Sequence, residues 1–428
     1  MLGRLLIRSG KRRTCVAVMA AAVVLLAGCS AKATNSSEKS GKGGVTQGVG
    51  VTDTSIRLGA ISDLSGPFSA ADSAIIKAEQ VYFDKVNEGG GVCGRKIDVE
   101  LADSGYDVQK ATVAYSQQEP KVLAFAQIFG SAINASLNGR YRSDKVLLYP
   151  ASQSGPTAQV EGVLQIGVTY DYEIINLLDY WLDKGVIKQG DTIAHIGLVG
   201  DLSNTAFAGS GHVAKQRGIN VKTISVPATA VDMTAQVTNA RAEGAAAILV
   251  SGTPKQVASV VAASQAAGFP VPVGIDTTGW ENDLLAGSTG QAVQQRVYVG
   301  APNADLSITD PTVQALMAAF KAADPKHADD FKQLSAFSAA LAITTVLKQA
   351  CDDGALTRDG LLEARKKLSS IDFHGMVPKL DLSKGGVPTT QSYVMRPDPS
   401  APGMLKSVDG GAFAGPDAAT YKPSFTVS

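Results

Sequence analysis

Six segments of this 428-residue chain concentrate Ser, Thr, Asn and Gly: SDLSGPFSA, FGSAINAS, YPASQSGP, GDLSNTAF, SGTPKQ and GIDTTGW. Hydroxyls and backbone N–H groups of this kind carry no net charge. They suit a small polar solute, above all a carboxylate at a helix N-terminus. Each residue also has a purely structural role open to it. Thr253-Pro254-Lys255-Gln256 is a capping box with proline at the first helical position. Ser131 can cap a helix, and Asp276 can cap a turn or pair with a lysine. The spacings of covalent or metal-assisted catalysis do not occur. No G-x-S-x-G elbow is found, and His195, His212, His327 and His374 are scattered, with no HExxH and no cysteine set for zinc. In GKGGVT the lysine precedes the glycines and no strand leads into it, so it is not a phosphate loop. His195, inside TIAHIGLVG, reads as a strand histidine, and Asp352 with Asp353 as a solvated helix end. These patterns favour binding over catalysis: the chain is not read as an enzyme, and no cofactor or metal is expected.

The six segments are placed by what flanks them. IRLGAIS, KIDVELAD, VLAFAQIF, KVLLYPAS, TIAHIGLVG, NVKTISV, AAAILVSG, VPVGID and RVYVGA read as strands. Between them lie helical periods, as in AIIKAEQVYFDKVNE, where Ile75, Ile76, Val81, Tyr82, Phe83 and Val86 build an apolar stripe. This alternation implies an α/β fold with parallel sheets covered on both faces. The order occurs twice. GRKIDVELADSGYDVQKATV and RGINVKTISVPATAVDMTAQV each run from a helix-ending glycine through a strand to an aspartate, Asp107 or Asp232, placed to cap the next helix. Two lobes follow, with ligands expected where loops leave the carboxyl ends of the strands.

The first residues address the chain. Arg4, Arg8, Lys11, Arg12 and Arg13 precede the apolar run CVAVMAAAVVLLAG, the order of an export signal. Because no charge falls between Arg13 and Lys32, an uncleaved span is the alternative. Leu26-Ala27-Gly28-Cys29 resembles the lipobox of bacterial lipoproteins. That resemblance implies removal of residues 1–28, a lipid on Cys29, and an extracytoplasmic protein held at the bilayer by residues 29–53, a polar, Gly-rich tether. With Cys15 lost and Cys29 acylated, Cys93 and Cys351 remain as an even pair in an oxidising compartment. A disulfide is expected between them, two unpaired buried thiols being the alternative. No other apolar run reads as long enough to span a membrane. Removing the signal leaves 34 basic and 39 acidic residues, a net charge of −5, with no basic stripe for nucleic acid.

From Ile56 to about Val394 the chain resembles the type I periplasmic substrate-binding proteins of ABC importers, in the branched-chain amino acid and amide group. The resemblance is carried by IRLGAISDLSGP, FDKVNEGGGVCGRKIDVELADSGYD, FGSAINAS, KVLLYPAS, LSAFSAALAITTVLKQA and HGMVPKLDLSKGG. It implies a monomeric clamp of two Rossmann-like lobes with three hinge crossings, passing its solute to an ABC permease. Lobe I would comprise 54–167 plus 300–375, and lobe II 168–299 plus 376–428. By the same analogy Ser131, Asn134, Ala151, Ser152 and Gln153 would face the ligand carboxylate or its polar equivalent. Thr253 would line the second lobe, Asp276 would meet a ligand ammonium, and Phe68 would pack on the ligand side chain, with Tyr172 and Trp280 as further aromatics. Two positions depart from the pattern. Thr205 and Ala206 stand where the family places a contact tyrosine and its neighbour, and FSAADSA lacks a glycine usual after LSGP. Amino acids, short amides, urea-like compounds and small aromatic acids all suit such a site. The alternatives are a receptor of the same fold that signals to a membrane sensor, and an exported α/β enzyme.

Overall fold

A computed structural model describes residues 39–425, which belong to one compact unit. The signal segment, Cys29 and the tether up to residue 38 lie outside the described residues.

The first half of the alternating pattern builds a three-stranded sheet. Strand Ser55–Ser62 (β1) leads to helix Ser69–Glu88 (α1), strand Lys96–Asp103 (β2), helix Val108–Gln118 (α2), strand Ala124–Ile128 (β3) and helix Ser131–Asp144 (α3). The strands pair in parallel in the order β2-β1-β3. The central strand is buried at every residue except Ser55 and Arg57, as a strand covered on both faces must be. In α1 the apolar stripe is buried through Ile75, Ile76, Val81 and Phe83, and the same face carries Asp72 and Glu79 into the interior.

The chain then crosses to a second sheet. Helix Tyr170–Asp183 (α4) is followed by strand Thr192–Leu198 (β4), helix Asp201–Arg217 (α5), strand Asn220–Val226 (β5) and helix Thr234–Ala242 (α6). Strand Ala245–Ser251 (β6), helix Pro254–Ala266 (α7), strand Val273–Ile275 (β7), helix Gly290–Arg296 (α8) and strand Val297–Ala301 (β8) continue it. A second crossing returns to helices Pro311–Ala323 (α9), Gln333–Asp352 (α10) and Arg358–Lys366 (α11). A third brings strands Tyr393–Pro397 (β9) and Leu405–Ser407 (β10) and the short helix Pro416–Thr420 (α12) to the second sheet. Its order is β10-β9-β8-β7-β6-β4-β5, parallel from β8 to β5, with β9 and β10 antiparallel at the far edge. Two lobes of α/β structure and three connections are thus present.

Cys93, in the loop after α1, and Cys351, at the end of α10, form a disulfide with Cα atoms 6.6 Å apart. It fastens α10 to the first sheet's helical layer, where α10 already packs on α1. The capping box at Thr253 is present in full, and Asp107 caps α2 by accepting from the Lys110 N–H.

Three expectations are corrected. KVLLYPAS is not a strand: Leu148 makes only isolated parallel bridges, to Phe125 and Val163. Leu147 and Tyr149 also hydrogen-bond to Phe125 and Ile128, while Pro150, which offers no N–H, and the positive φ of Lys145 and Ala151 bound the segment. Asp232 falls one residue short of a cap. The residue flanking α6 is Met233, and Asp232 accepts from the N–H and hydroxyl of Thr234. Finally, among the described residues one helix, Gln333–Asp352, is long and apolar enough to cross a membrane, but 78% of its apolar window is buried inside the protein, which makes it a core helix.

Candidate functional site

The loops at the carboxyl ends of both sheets converge on a narrow cleft with a cavity volume of about 50 Å³. Five of the six hydroxyl-rich segments reach it, through Phe68, Ser131, Gln153, Leu202 and Thr277; SGTPKQ does not.

The apolar wall is set by a network of carboxylates behind the loop after β1. Asp63 accepts from the N–H groups of Gly66 (2.5 Å) and Phe68 (2.9 Å), while Asp103 accepts from the Leu64 N–H (2.9 Å) and the Ser65 hydroxyl (2.7 Å). The loop is thereby folded so that the Phe68 ring enters the cleft. There it meets Tyr106 and Phe129, with centroids 4.9 and 6.0 Å away. Gly130 makes room for this cluster. Its φ is +104°, and a Cβ on it would lie 2.6 Å from the Tyr106 ring, so both backbone and space require glycine.

The polar groups are few and mostly neutral. Ser131 and Ser152 share a hydroxyl–hydroxyl bond of 2.8 Å, and Ser131 also lies 3.5 Å from the Tyr170 hydroxyl. Burial pushes the Tyr106 phenol up to about 12, and Tyr149 and Tyr170 are shifted the same way for the same reason. All three phenols therefore remain protonated donors at neutral pH. Thr277 is held by its N–H donating to Glu173 Oε2 at 2.9 Å, and Ser335 donates to Asn303 Oδ1 at 2.8 Å. Among the described lining residues one carries charge, Lys332, and none is an aspartate or glutamate.

Protein groups from the two lobes already touch around this cleft. The Ser154 hydroxyl donates to the Asp201 carboxylate at the start of α5, the Gly155 N–H donates to Thr205 Oγ1 at 3.2 Å, and Lys332 Nζ donates to the Trp280 carbonyl at 2.7 Å.

Of the residues expected at the ligand, Phe68, Ser131, Ala151 and Gln153 line the cleft. Asn134, Ser152, Tyr172, Thr205, Thr253, Asp276 and Trp280 do not. Asn134 is saturated: its Nδ2 donates to the carbonyls of Ile128, Gly130 and Pro150, and its Oδ1 accepts from Tyr141. Ser152 stands behind Ser131, and Thr205 serves the inter-lobe contact. Thr253 is consumed by its capping box. Tyr172 packs edge-on against Tyr421, and the Trp280 indole donates to Asn282. Asp276 caps the turn at Thr277–Gly279, accepting from the N–H and hydroxyl of Thr278, and burial raises its carboxyl to about 6.

Sequence reasoning missed Tyr106, Tyr149, Tyr170, Asn303, Lys332 and Ser335 among the lining residues. Tyr106 and Asn303 each follow a segment read as a strand, so the rule that found the six loops could have found them. Lys332 precedes a core helix and carries no local signal of a site.

A family model described as periplasmic binding protein matches residues 55–402. A solved fatty acid ABC transporter substrate-binding protein from Thermomonospora curvata is 31% identical, with a TM-score of 0.86 over 90% of this chain and 98% of that one. The chain belongs to the periplasmic binding protein family. More distant members share the fold. A branched-chain amino acid ABC transporter protein from Thermus thermophilus, solved with bound valine, is 14% identical, with TM-score 0.74 over 86% of this chain and 98% of that one. A leucine-binding protein from Thermotoga maritima is 16% identical, with TM-score 0.68 over 85% and 99%. No curated protein matches the chain. This periplasmic binding protein has the type I fold and is extracytoplasmic, and its matched relatives are substrate-binding proteins of ABC transporters.

Proposed function

We propose that this periplasmic binding protein is the solute receptor of an ABC importer, held at the membrane by a lipid on Cys29 and working as a monomer that delivers to a permease. Its solute is a carboxylic acid with a large apolar body, of the fatty acid kind, rather than a free amino acid. The observation that carries this reading is the composition of the cleft. Phe68, Tyr106, Phe129, Ala71, Ile75 and Leu202 offer apolar surface, and no lining carboxylate is available for an ammonium. Burying an unpaired ammonium costs several kcal/mol, so a cleft built this way selects against amino acids. The fatty acid named for the Thermomonospora curvata relative supports the same choice. Ser131, Ala151, Gln153 and Phe68 are the residues of the initial set proposed to touch the solute. Calorimetric titration with alkanoates of graded length, beside leucine and valine, tests the reading. Binding of leucine or valine with no binding of any alkanoate would reverse it.

A further inference from the structure

The single cation of the cleft lies at an informative place. Lys332 is 7% exposed and stands at the entrance to α10, on the helical layer of the first sheet. Its Nζ donates to the carbonyl of Trp280, which belongs to the loop after β7 of the second sheet. An ammonium has three N–H donors. Among the described residues the structure records one hydrogen bond from this one, together with the Phe331 ring 5.4 Å away. The nearest carboxylate oxygen, Asp330 Oδ1, is 3.8 Å from Nζ and is already the acceptor for the Lys332 backbone N–H at 2.9 Å. Glu281, beside Trp280, acts on the lysine only through its field. A buried ammonium with unused donors and no directly bonded anion gains by contact with a negative group.

We infer that Lys332 is the charge reader of the cleft, a specificity-determining residue whose ammonium binds the carboxylate of an apolar-bodied acid while bridging to Trp280 of the opposite lobe. This rests on the proposed function, since it names the head group that the apolar cleft accepts. The two lobes then share one cation. A ligand carboxylate held on Lys332 is brought against the Trp280 loop, and the charge of the ligand is coupled to closure. The neutral hydroxyls of Ser131 and Tyr170 can hydrogen-bond an acid or an ester alike, so they do not supply this discrimination.

The test compares decanoate with methyl decanoate, equal in apolar body and differing in charge, by calorimetry on the full mature chain. The native protein is expected to prefer decanoate by at least about tenfold, the scale of a buried charge pair. Lys332→Met is expected to erase that preference, so that acid and ester bind within about twofold of each other, and Lys332→Arg to restore part of it. A Lys332→Met protein that keeps the preference overturns the assignment and leaves the proposed function standing. Equal affinity of the native protein for acid and ester also overturns it, without reliance on any variant. If the native protein binds neither probe but binds leucine, the proposed function falls and takes this assignment with it.

Discussion

Asp276 shows how a residue of the right type can be occupied elsewhere. Its side chain closes the Thr277–Gly279 turn, and burial raises its carboxyl from about 3.8 to about 6. A carboxyl raised on folding is penalised only when ionised. The penalty is absent below about pH 4, grows as pH rises toward 6, and is complete above that, reaching about 2–3 kcal/mol for a shift of this size. Asp276→Asn keeps a capping side chain and removes the charge. Its melting temperature relative to the native protein should therefore be higher at pH 8 than at pH 4, and alkanoate affinity should be nearly unchanged. Thermal scans at the two pH values, with a titration, check both. Residue type marks Asn134, Thr253 and Asp276 as candidate ligand groups near strand ends, and in the structure each is engaged by the protein itself. Sequence could not show that Ile128, Gly130 and Pro150 would claim the amide of Asn134, because those carbonyls are brought to it only by the fold. Thr253 was the exception: its capping box is local and was readable as such.

Elements were legible where the signal was a period and obscure where the chain bends. The stripe of α1 and the buried run of β1 follow from their sequence patterns. KVLLYPAS has strand composition, yet Pro150 and two residues with positive φ bound it, and its bridges are isolated ones. Helix α10 is apolar over a membrane-spanning length, a pattern that sequence alone does not distinguish from a core helix. Its burial against α1 and its disulfide identify it as the axis of the first lobe. The bond joins residues 258 apart in sequence, so it restricts a long loop of the unfolded chain. Replacing Cys93 and Cys351 together by serine should cost about 2–5 kcal/mol. Urea unfolding of the two proteins measures it, and equal midpoints would show that packing alone holds α10.

At the scale of the molecule, the two lobes are held together by contacts that do not involve a ligand. Ser154 with Asp201 and Gly155 with Thr205 link the first crossing to the start of α5. Such contacts favour the closed form before binding, and a receptor that is already partly closed loses less affinity to conformational adjustment. Ser154→Ala leaves the Asp201 carboxylate without this donor. The unliganded variant should show a larger radius of gyration in solution scattering, and severalfold weaker decanoate binding, than the native protein. A saturating ligand should bring both to the same compact radius. No change in the unliganded radius would show that these bonds do not govern the opening.

The short strand at Thr46–Gln47 runs beside Ala355–Leu356, and the N–H groups of Thr46 and Gly48 donate to Gly354 and Leu356 at 2.8 Å each. That stitch lies a few residues past Cys351. Any tug transmitted along the preceding residues is therefore delivered to the first lobe at its cross-linked corner. The other half of the clamp bears none of that load and can swing like a jaw whose opposite jaw is gripped.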